Sequence, residues 1–436
     1  MIEPAPTSPA RTKRPVLRRR LRVWWQRRLR PRHPRALWWS LAHAVWMLLM
    51  TYVWLGLPYA FGNEAFLTKW TALFKKELLG FDAKPPPDAV LFVDVSRVKT
   101  IIEIENGAET PTPGLIDRPT LGTRKLPVTD RAPLAALLDL LAAYRDETAL
   151  VVLDVLLEHP TPADSSLQAA LMRLGDKVLS ASRYSADGTR HIAPVVEVTH
   201  ALGSYRSAAG MFVKYPLMER ERTTLPAAMY ERLSGRKVRH RGLLYLIGSR
   251  PSFRAPIVDF KVRPADFRAG TDRREANFAV HDLETLLVLG RVMTPEDRRA
   301  LFAGKMIMIG DFESDQHLTP LGYLPGLLVV YNAYLTLAHG EAFVPPGWVV
   351  LLLVSYGFIS YRVFTEKKVT LPYWLRRHFT SGFGAYLMNS LDEVFFLALL
   401  TILSYLLFNL HIGIIFLFLY LKLLEFILAK FNVSFT

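Results

Sequence analysis

Hydrophobic residues follow two different patterns along the chain. Near both ends they form long, almost uninterrupted runs, whereas between about residues 85 and 343 short apolar runs alternate with segments whose apolar residues recur at helical spacing. Runs of about 20 apolar residues are typical of membrane-spanning helices. Short apolar strands that alternate with helices are typical of a parallel sheet. The pattern therefore predicts an α/β domain that lies between membrane segments.

The middle of the chain contains the predicted strands and helices. The predicted strands are 89–96, 149–157, 177–184, 242–248, 257–262 and 305–312. The predicted helices are 66–79, 133–145, 165–174, 280–290 and 326–340. Strands that are apolar at nearly every position are expected where helices cover both faces of a sheet. We therefore expect a mostly parallel sheet with covering helices.

The long apolar runs predict transmembrane helices. Residues 37–61 are free of charge and too long for the core of a signal peptide, and a second span is expected at 345–364. The last stretch, 389–430, is too long for one span, because as one helix its apolar part would reach about 55 Å across a hydrocarbon core of about 30 Å. We expect a hairpin there and four spans in total. Three spans, with one long last helix, are the alternative.

Charge gives the expected orientation. Residues 1–36 contain twelve Lys or Arg and one Glu, and residues 365–388 are also basic. By the positive-inside rule both segments and the tail 431–436 are expected in the cytoplasm, which leaves the domain 62–343 on the extracytoplasmic side of the membrane. The net charge of +15 is thus concentrated beside the membrane, so nucleic-acid binding is not expected. No cytoplasmic segment exceeds about 36 residues, so no catalytic output domain is expected inside.

Acidic residues follow three of the predicted strands. Asp94, Asp154 and Asp311 stand at strand ends, and nearby loops add Asp164 and Asp315. In open α/β sheets the binding crevice lies at the carboxyl ends of the strands, so these side chains are expected at one edge. They could cap helices and order loops, bind a ligand or a divalent cation, or act in acid–base catalysis.

Histidines offer a weaker indication of a metal site in the same two loops. His159 and His317 could join the acids as ligands, but the eleven histidines of the chain show no close ligand spacing. The chain has no cysteine, which excludes disulfides and thiolate ligands. The sequence therefore leaves the presence of a metal undecided and predicts no cofactor.

The C-terminal apolar stretch contains a few ionisable residues. His411, Lys422 and Glu425 are candidates for contacts with a partner protein, because ionisable groups in membrane segments are usually functional. Pairing of Lys422 with Glu425 and snorkelling toward the inner face are simpler interpretations. A role of these residues in an ion or proton conduit is a further alternative.

Several motifs occur in an order that resembles a known family. They are FVDVS, LVVLDVLLEHPTPADSSL and IGDFESDQHLTPLGYLPGLLVVYN, and a membrane span follows them. In this order they resemble the CHASE type-two domain, an extracytoplasmic sensory module of bacterial membrane receptors, over about residues 89–340. By position, the resemblance assigns the characteristic polar and turn residues of the family to Asp94, Asp154, Asp164, Asp315, Thr319, Pro320, Gly326 and Asn332. It implies sensing or partner binding outside the cell.

The sequence thus predicts a non-enzymatic membrane protein with a periplasmic sensory or partner-binding domain. Members of the resembled family usually carry an output domain, so a chain without one is expected to act as a subunit of a larger membrane assembly. The expected partners are the lipid bilayer, other membrane subunits and a periplasmic ligand or protein. The alternatives are a conduit gated by the outer domain and a metal-dependent enzyme that uses Asp94, Asp154 and Asp315.

Overall fold

The computed structural model divides the chain into two compact units. It describes residues 34–57, 70, 84–105, 123–185, 187–203, 211–267, 278–365, 382–408, 410 and 412–431. The helical unit is drawn from Met1–Met50, Val349–Ala398 and Ile414–Thr436. The α/β unit is drawn from Thr51–Trp348 and Leu399–Gly413.

The described helices and strands are numbered in chain order. The helices are α1 (Pro34–Leu55), α2 (Arg131–Ala142), α3 (Asp164–Leu174), α4 (Leu225–Ser234), α5 (Leu283–Val292), α6 (Pro295–Phe302), α7 (Gly326–Ala338), α8 (Pro346–Phe364), α9 (Gly382–Phe408) and α10 (Ile414–Lys430). The strands are β1 (Val90–Asp94), β2 (Lys99–Glu105), β3 (Thr123–Thr129), β4 (Leu150–Asp154), β5 (Val178–Tyr184), β6 (His191–Ile192), β7 (His200–Leu202), β8 (Met218–Glu219), β9 (Arg222–Thr223), β10 (Val238–Arg241), β11 (Leu244–Ile247), β12 (Arg250–Ser252), β13 (Val280–Asp282), β14 (Met306–Gly310), β15 (Gln316–Thr319) and β16 (Gly322–Pro325).

The main sheet has the strand order β13-β1-β14-β4-β5, and both β6 and β7 pair with β5. Every described pair in this sheet is parallel except β5 with β6. The predicted class is therefore confirmed: the domain is mixed α/β, with a mainly parallel sheet and covering helices.

Helices cover both faces of the sheet, which explains why its strands are apolar at almost every position. Phe92 and Val152 belong to a buried cluster that includes Leu327 of α7. Val93 and Leu153 point the other way, into a cluster with residues of α2, α3 and α5. Since neighbouring residues of a strand face opposite sides, the central strands can be wholly apolar only if both sides are covered.

Two predicted elements have different boundaries in the structure. The segment predicted as helix 280–290 begins with strand β13, which pairs with β1 at the sheet edge, and the helix starts at Leu283. Asp282 caps it by accepting a hydrogen bond from the Thr285 amide at 3.0 Å. The segment 242–248 contains β11, but this strand belongs to a small antiparallel sheet with β10 and β12 and not to the main sheet.

The predicted strand 257–262 is wrong. The amides of Asp259 and Val262 donate to side chains of α7, namely Thr336 Oγ1 at 3.0 Å and Asn332 Oδ1 at 2.9 Å. Asn332 also donates to the Val262 carbonyl at 2.8 Å. Part of the backbone of this segment thus bonds to a helix. Among the described residues, its pairing with the chain beside it is limited to an isolated bridge between Ile257 and Lys214, where the Val258 amide donates to the Val213 carbonyl at 2.9 Å.

Some observed elements were not predicted from the sequence, and one predicted helix lies almost entirely outside the described residues. The hairpin of β2 and β3 and the helices α4 and α6 were not predicted. The predicted helix 66–79 lies outside the described residues, apart from Trp70. Asp130 caps α2, because its side chain accepts a hydrogen bond from the Ala132 amide.

The described residues include two helices that are long and apolar enough to cross a membrane, α1 and α8. Helix α10 has 17 residues, slightly fewer than the roughly 20 residues of a usual membrane span. The last apolar stretch is not one continuous helix, because α9 ends at Phe408 and α10 begins at Ile414. Four spans are therefore not established by length and composition.

A buried polar contact connects three helices of the helical unit. His43 of α1 lies with Nδ1 2.7 Å from Ser360 Oγ of α8 and with Nε2 2.8 Å from Tyr420 Oη of α10. Ser360 is fully buried. Since both ring nitrogens have hydroxyl partners, the histidine is satisfied inside the unit and fixes the relative positions of these helices.

Asn332→Ala should lower the free energy of unfolding by about 2–3 kcal/mol, because it leaves backbone groups at Val262 buried without partners. The expected result is a clearly lower melting temperature of the full chain in detergent micelles. Met172→Ala, which truncates a side chain that is 72% exposed on α3, is the control and should have little effect. Equal melting temperatures for the two variants would show that Asn332 does not hold segment 257–262.

Candidate functional site

The carboxyl ends of β1, β14 and β4 form one row at the edge of the sheet. Asp94 is in register with Gly310, and Gly310 is in register with Asp154. Phe92 and Val152, two residues earlier, face α7, so both aspartates emerge on that same face. The edge expected from the sequence thus brings Asp94 and Asp154 to one side of the sheet, with Cα atoms about 10 Å apart at the usual strand spacing.

Gly310 lets helix α7 lie close to this edge between the two aspartates. A Cβ atom on Gly310 would be 3.2 Å from the Leu327 side chain, tighter than normal packing. Leu327 is the second residue of α7. The first turn of the helix therefore packs on the sheet at the point where Asp94 and Asp154 emerge.

Asp154 has the most unusual environment of the predicted site residues. The residue is only partly buried, but its carboxyl group lies deep among its neighbours, and this desolvation raises its pKa to about 7. The charge of Asp315 contributes to this raised pKa, and the charge of His317 acts in the opposite direction. Within the described part of the chain, no hydrogen-bond partner of the Asp154 carboxyl is found, so its oxygens are not committed to a protein donor there.

Asp315 and His317 form an ion pair beside Asp154. His317 Nε2 is 2.9 Å from Asp315 Oδ1, and the Phe212 ring meets the imidazole edge-on at 4.7 Å between centroids. The hydrogen bond to Asp315 raises the pKa of His317, burial opposes this, and the charges of Asp315 and Asp154 add to the increase. We define Asp154, Asp315 and His317 as the rim group.

Two glycines make room for the rim group. A Cβ atom on Gly326, the first residue of α7, would overlap the Asp315 carboxylate and lie 3.1 Å from His317 Nε2. A Cβ atom on Gly203 would be 3.3 Å from Asp154 Oδ1. A side chain at either position would push an acid out of place, so the backbone itself forms the walls of this site.

The rim group can bind a ligand and exchange protons. It combines a carboxyl whose pKa is raised to about 7 with a histidine whose pKa is raised by its contact with Asp315. Such a set can accept hydrogen bonds from an amine or hydroxyl, and it changes charge with small changes of pH. A carboxyl with a pKa near 7 is also suited to general acid–base catalysis.

Asp94 has a structural role instead. Its carboxylate accepts hydrogen bonds from the Ser96 amide at 2.9 Å, the Ser96 hydroxyl at 2.8 Å and the Phe312 amide at 3.1 Å. These contacts connect the loops that follow β1 and β14. One alternative is a metal-dependent enzyme that uses Asp94, Asp154 and Asp315. Of these three acids, Asp94 is engaged in ordering the loops.

Asp311 is also engaged by its own loop. It pairs with Lys99 Nζ at 2.8 Å and accepts hydrogen bonds from the amides of Glu313 at 3.0 Å and Ser314 at 2.7 Å. Burial acts to raise its pKa, but the Lys99 contact and the amides outweigh it and lower the pKa. The expected convergence of the strand-end acids is thus limited, because Asp94 and Asp311 each accept three hydrogen bonds from nearby protein groups.

Asp164 anchors the loop between β4 and α3. It pairs with the buried Arg131 of α2 and accepts hydrogen bonds from the Thr161 amide at 3.0 Å and hydroxyl at 2.9 Å. These contacts lower its pKa against the opposing effect of burial. Asp164 is the first residue of α3 and not its cap, and the position before it, Ala163, has no side-chain cap. This corrects the predicted capping role.

Thr319 and Asn332 also hold the fold together through hydrogen bonds to the backbone. Thr319 Oγ1 donates to the Gly322 carbonyl at 2.7 Å and accepts from the Leu321 amide at 3.2 Å, which closes the turn between β15 and β16 around Pro320. Asn332 is fully buried and holds segment 257–262. Both side chains are thus engaged by hydrogen bonds to the backbone of the protein itself.

The candidate partner contacts are satisfied or outside the described residues. Lys422 Nζ is 2.9 Å from Glu425 Oε2 and 5.6 Å from the centre of the Phe418 ring. The simpler interpretation, a pair within one helix, thus agrees with the observed distance. His411 lies outside the described residues.

Metal ligation finds no support in the described part of the chain. No group of three or more His, Asp and Glu side chains there is arranged to hold a metal ion. His159 does not join His317, because its Nε2 lies 3.4 Å from Glu158, which is itself paired with Arg183. The sequence did contain a signal for the rim group: in Asp315-Gln316-His317 the first and third side chains share one face of an extended chain.

Comparison with known proteins gives no relative: no family model, no curated protein and no solved structure matches this chain. The resemblance to the CHASE type-two family therefore stays a prediction that depends on the order of the motifs. The class that the fold and the edge define is an α/β domain with a polar rim group at the carboxyl ends of its central strands.

Asp154→Asn should change how stability depends on pH. The folded state binds the Asp154 proton more tightly than the unfolded chain, whose carboxyl has a pKa of about 4. Stability contributed by this group is therefore present at low pH and lost as pH rises toward about 7. The asparagine variant cannot ionise at this position. The difference between its melting temperature and that of the wild type should therefore shift in favour of the variant as the pH rises from 5 to 8.

The control for this measurement is Asp146→Asn, at a carboxylate whose side chain is 92% exposed. Its difference from the wild type should be independent of pH. If the Asp154 and Asp146 variants behave alike across this range, the raised pKa of Asp154 is contradicted.

Proposed function

We propose that the chain is a multi-pass protein of a bacterial inner membrane with a periplasmic binding domain of the sensory type. The domain corresponds to the α/β unit and resembles the CHASE type-two family. It binds a periplasmic ligand or protein and acts as a subunit of a larger membrane assembly.

The distribution of polar and apolar side chains in the helical unit carries this proposal. Large apolar residues face outward, including Trp38 at 72% exposure, Val354 at 66% and Phe426 at 62%. The polar Ser40 and Ser360 are buried. Exposed apolar surface of this extent is unusual in water, and polar groups turned inward are the arrangement that lipid favours.

The proposal includes four spans, α1, α8, α9 and α10. A helix of 17 residues such as α10 extends about 26 Å at the usual rise, slightly less than the hydrocarbon core of about 30 Å. Its Lys422 and Lys430 can reach the interface with their side chains. The basic segments 1–36 and 365–388 then lie on the cytoplasmic side.

The rim group supports binding over catalysis in the outer domain. Asp94 and Asp311 are committed to loop contacts, so the edge retains one desolvated carboxyl and one ion pair for chemistry. This set suits recognition of a ligand with hydrogen-bond donors, and its charge depends on pH. A response to ligand or to pH is the behaviour expected of a sensory domain.

The topology can be tested with single cysteines, because the natural chain has none. Val292→Cys, at an exposed position of α5, should react in intact spheroplasts with a maleimide that cannot cross membranes. Lys367→Cys, in the basic segment 365–388, is the matched control and should react only after permeabilisation. The reverse labelling pattern would exclude a periplasmic domain.

A second candidate function, a component of a proton conduit, is favoured by one observation. His43 is an ionisable residue among apolar helices, and each of its ring nitrogens has a hydroxyl partner, Ser360 and Tyr420. Chains of this kind can pass protons in membranes. In this alternative the outer domain would gate the conduit.

Reconstitution into liposomes tests the conduit. If it exists, an imposed pH gradient should collapse faster with the wild-type protein than with His43→Phe, as measured with an enclosed pH-sensitive dye. Trp38→Phe, an exposed position of the same helix, should retain the wild-type rate. A wild-type rate equal to that of empty liposomes would remove this candidate.

A further inference from the structure

A cavity of about 330 Å³ lies beside β5 and β7, and no member of the rim group lines it. Its polar lining includes Ser182, His191, His200, Arg222, Arg232 and Lys237. These residues come from five elements and one loop between residues 182 and 237. A volume of this size is at the lower end of small-molecule binding sites and far above that of one water molecule.

The cavity has an excess of positive charge. Three cations line it, Arg222, Arg232 and Lys237, against one acid, Glu231. The acid is already engaged, because its carboxylate accepts from Lys237 Nζ at 3.1 Å and from the Val238 amide at 2.6 Å. In the described part of the chain neither arginine has an ion-pair partner. Both guanidinium groups thus remain available to an anion.

Two histidines with fixed orientations complete the lining. His200 Nδ1 donates to the Val198 carbonyl at 3.1 Å. The Ser182 hydroxyl donates to the Ala201 carbonyl at 3.0 Å, so it accepts from His191 Nε2 at 3.1 Å. These bonds leave His191 Nδ1 and His200 Nε2 as the nitrogens that can face a ligand.

The rings of His191 and His200 stack on each other in the lining of the cavity. Their centroids are 5.4 Å apart with an angle of 21° between the planes. Burial lowers the pKa of His191, and the charges of Arg222 and His200 lower it further. A positive charge on His191 is therefore costly in the empty cavity, whereas a bound anion would supply a counter-charge.

We propose that this cavity binds a small organic anion that bears a phosphate group or clustered carboxylates. Arg222 and Arg232 bind its anionic oxygens through their planar donor groups. Ser182, the two histidines and Lys237 surround the same space, and the volume leaves room for an organic portion beyond the charged group. The inference concerns a second site and depends neither on the membrane topology nor on Asp154.

The test measures binding to the full chain in detergent micelles by titration calorimetry at constant ionic strength, because salt screens such contacts. The probes are ribose 5-phosphate and citrate, which separate phosphate from carboxylate recognition, with ribose as the neutral control. At least one anion should bind saturably, and ribose should not. No saturable binding of either anion would overturn the proposal.

The variants locate the binding in the cavity. Arg222→Gln with Arg232→Gln should weaken binding at least tenfold, since each charged hydrogen bond is worth about 1.5–3 kcal/mol. Arg239→Gln removes an exposed arginine of β10 that does not line the cavity, and it should retain wild-type affinity. Equal affinities for the double variant and this control would contradict the site.

A second variant keeps the proposal testable if the double variant does not fold. Arg222 and Arg232 are exposed, so their replacement should leave the circular dichroism spectrum unchanged. If the double variant nevertheless misfolds, Arg232→Glu alone places a carboxylate in the cavity and should abolish anion binding. Retained binding in a folded Arg232→Glu protein would overturn the proposal.

Discussion

The desolvation of one carboxyl group at the end of an apolar strand is the constraint on which the candidate site depends. Asp154 follows four buried residues of β4, and helices cover both faces of the sheet at that point. A charge there costs free energy unless a partner compensates it. The fold supplies no hydrogen-bonding partner within the described residues, and it places the Asp315–His317 pair close enough to influence the pKa. The protonation of this edge is therefore expected to change near neutral pH.

The sequence predicted the sheet well because its signals are local. Strands apolar at every position, an Asp130 cap and helical leucine spacing each indicate one element without knowledge of the others. The prediction failed where tertiary contacts decide the structure. Segment 257–262 has an alternating pattern, but Asn332 and Thr336 of a distant helix satisfy its backbone.

The location of the candidate site could be predicted from the sequence, but the residues that form it could not. The rule that acids at strand ends share an edge correctly brought Asp94 and Asp154 to one side of the sheet. It could not show that Asp94 bonds Phe312, because that contact depends on the course of a loop 218 residues away. The cavity lined by His191 and Arg222 gave no signal at all, since short elements assemble it.

A direct titration of Asp154 tests the central claim. Infrared difference spectra of the full chain, recorded against pH, would follow the carbonyl band of a protonated carboxylic acid, and the band absent from Asp154→Asn would be assigned to Asp154. The account predicts that this band disappears with a midpoint near pH 7. A midpoint near pH 4, the value of a solvated aspartate, would contradict it.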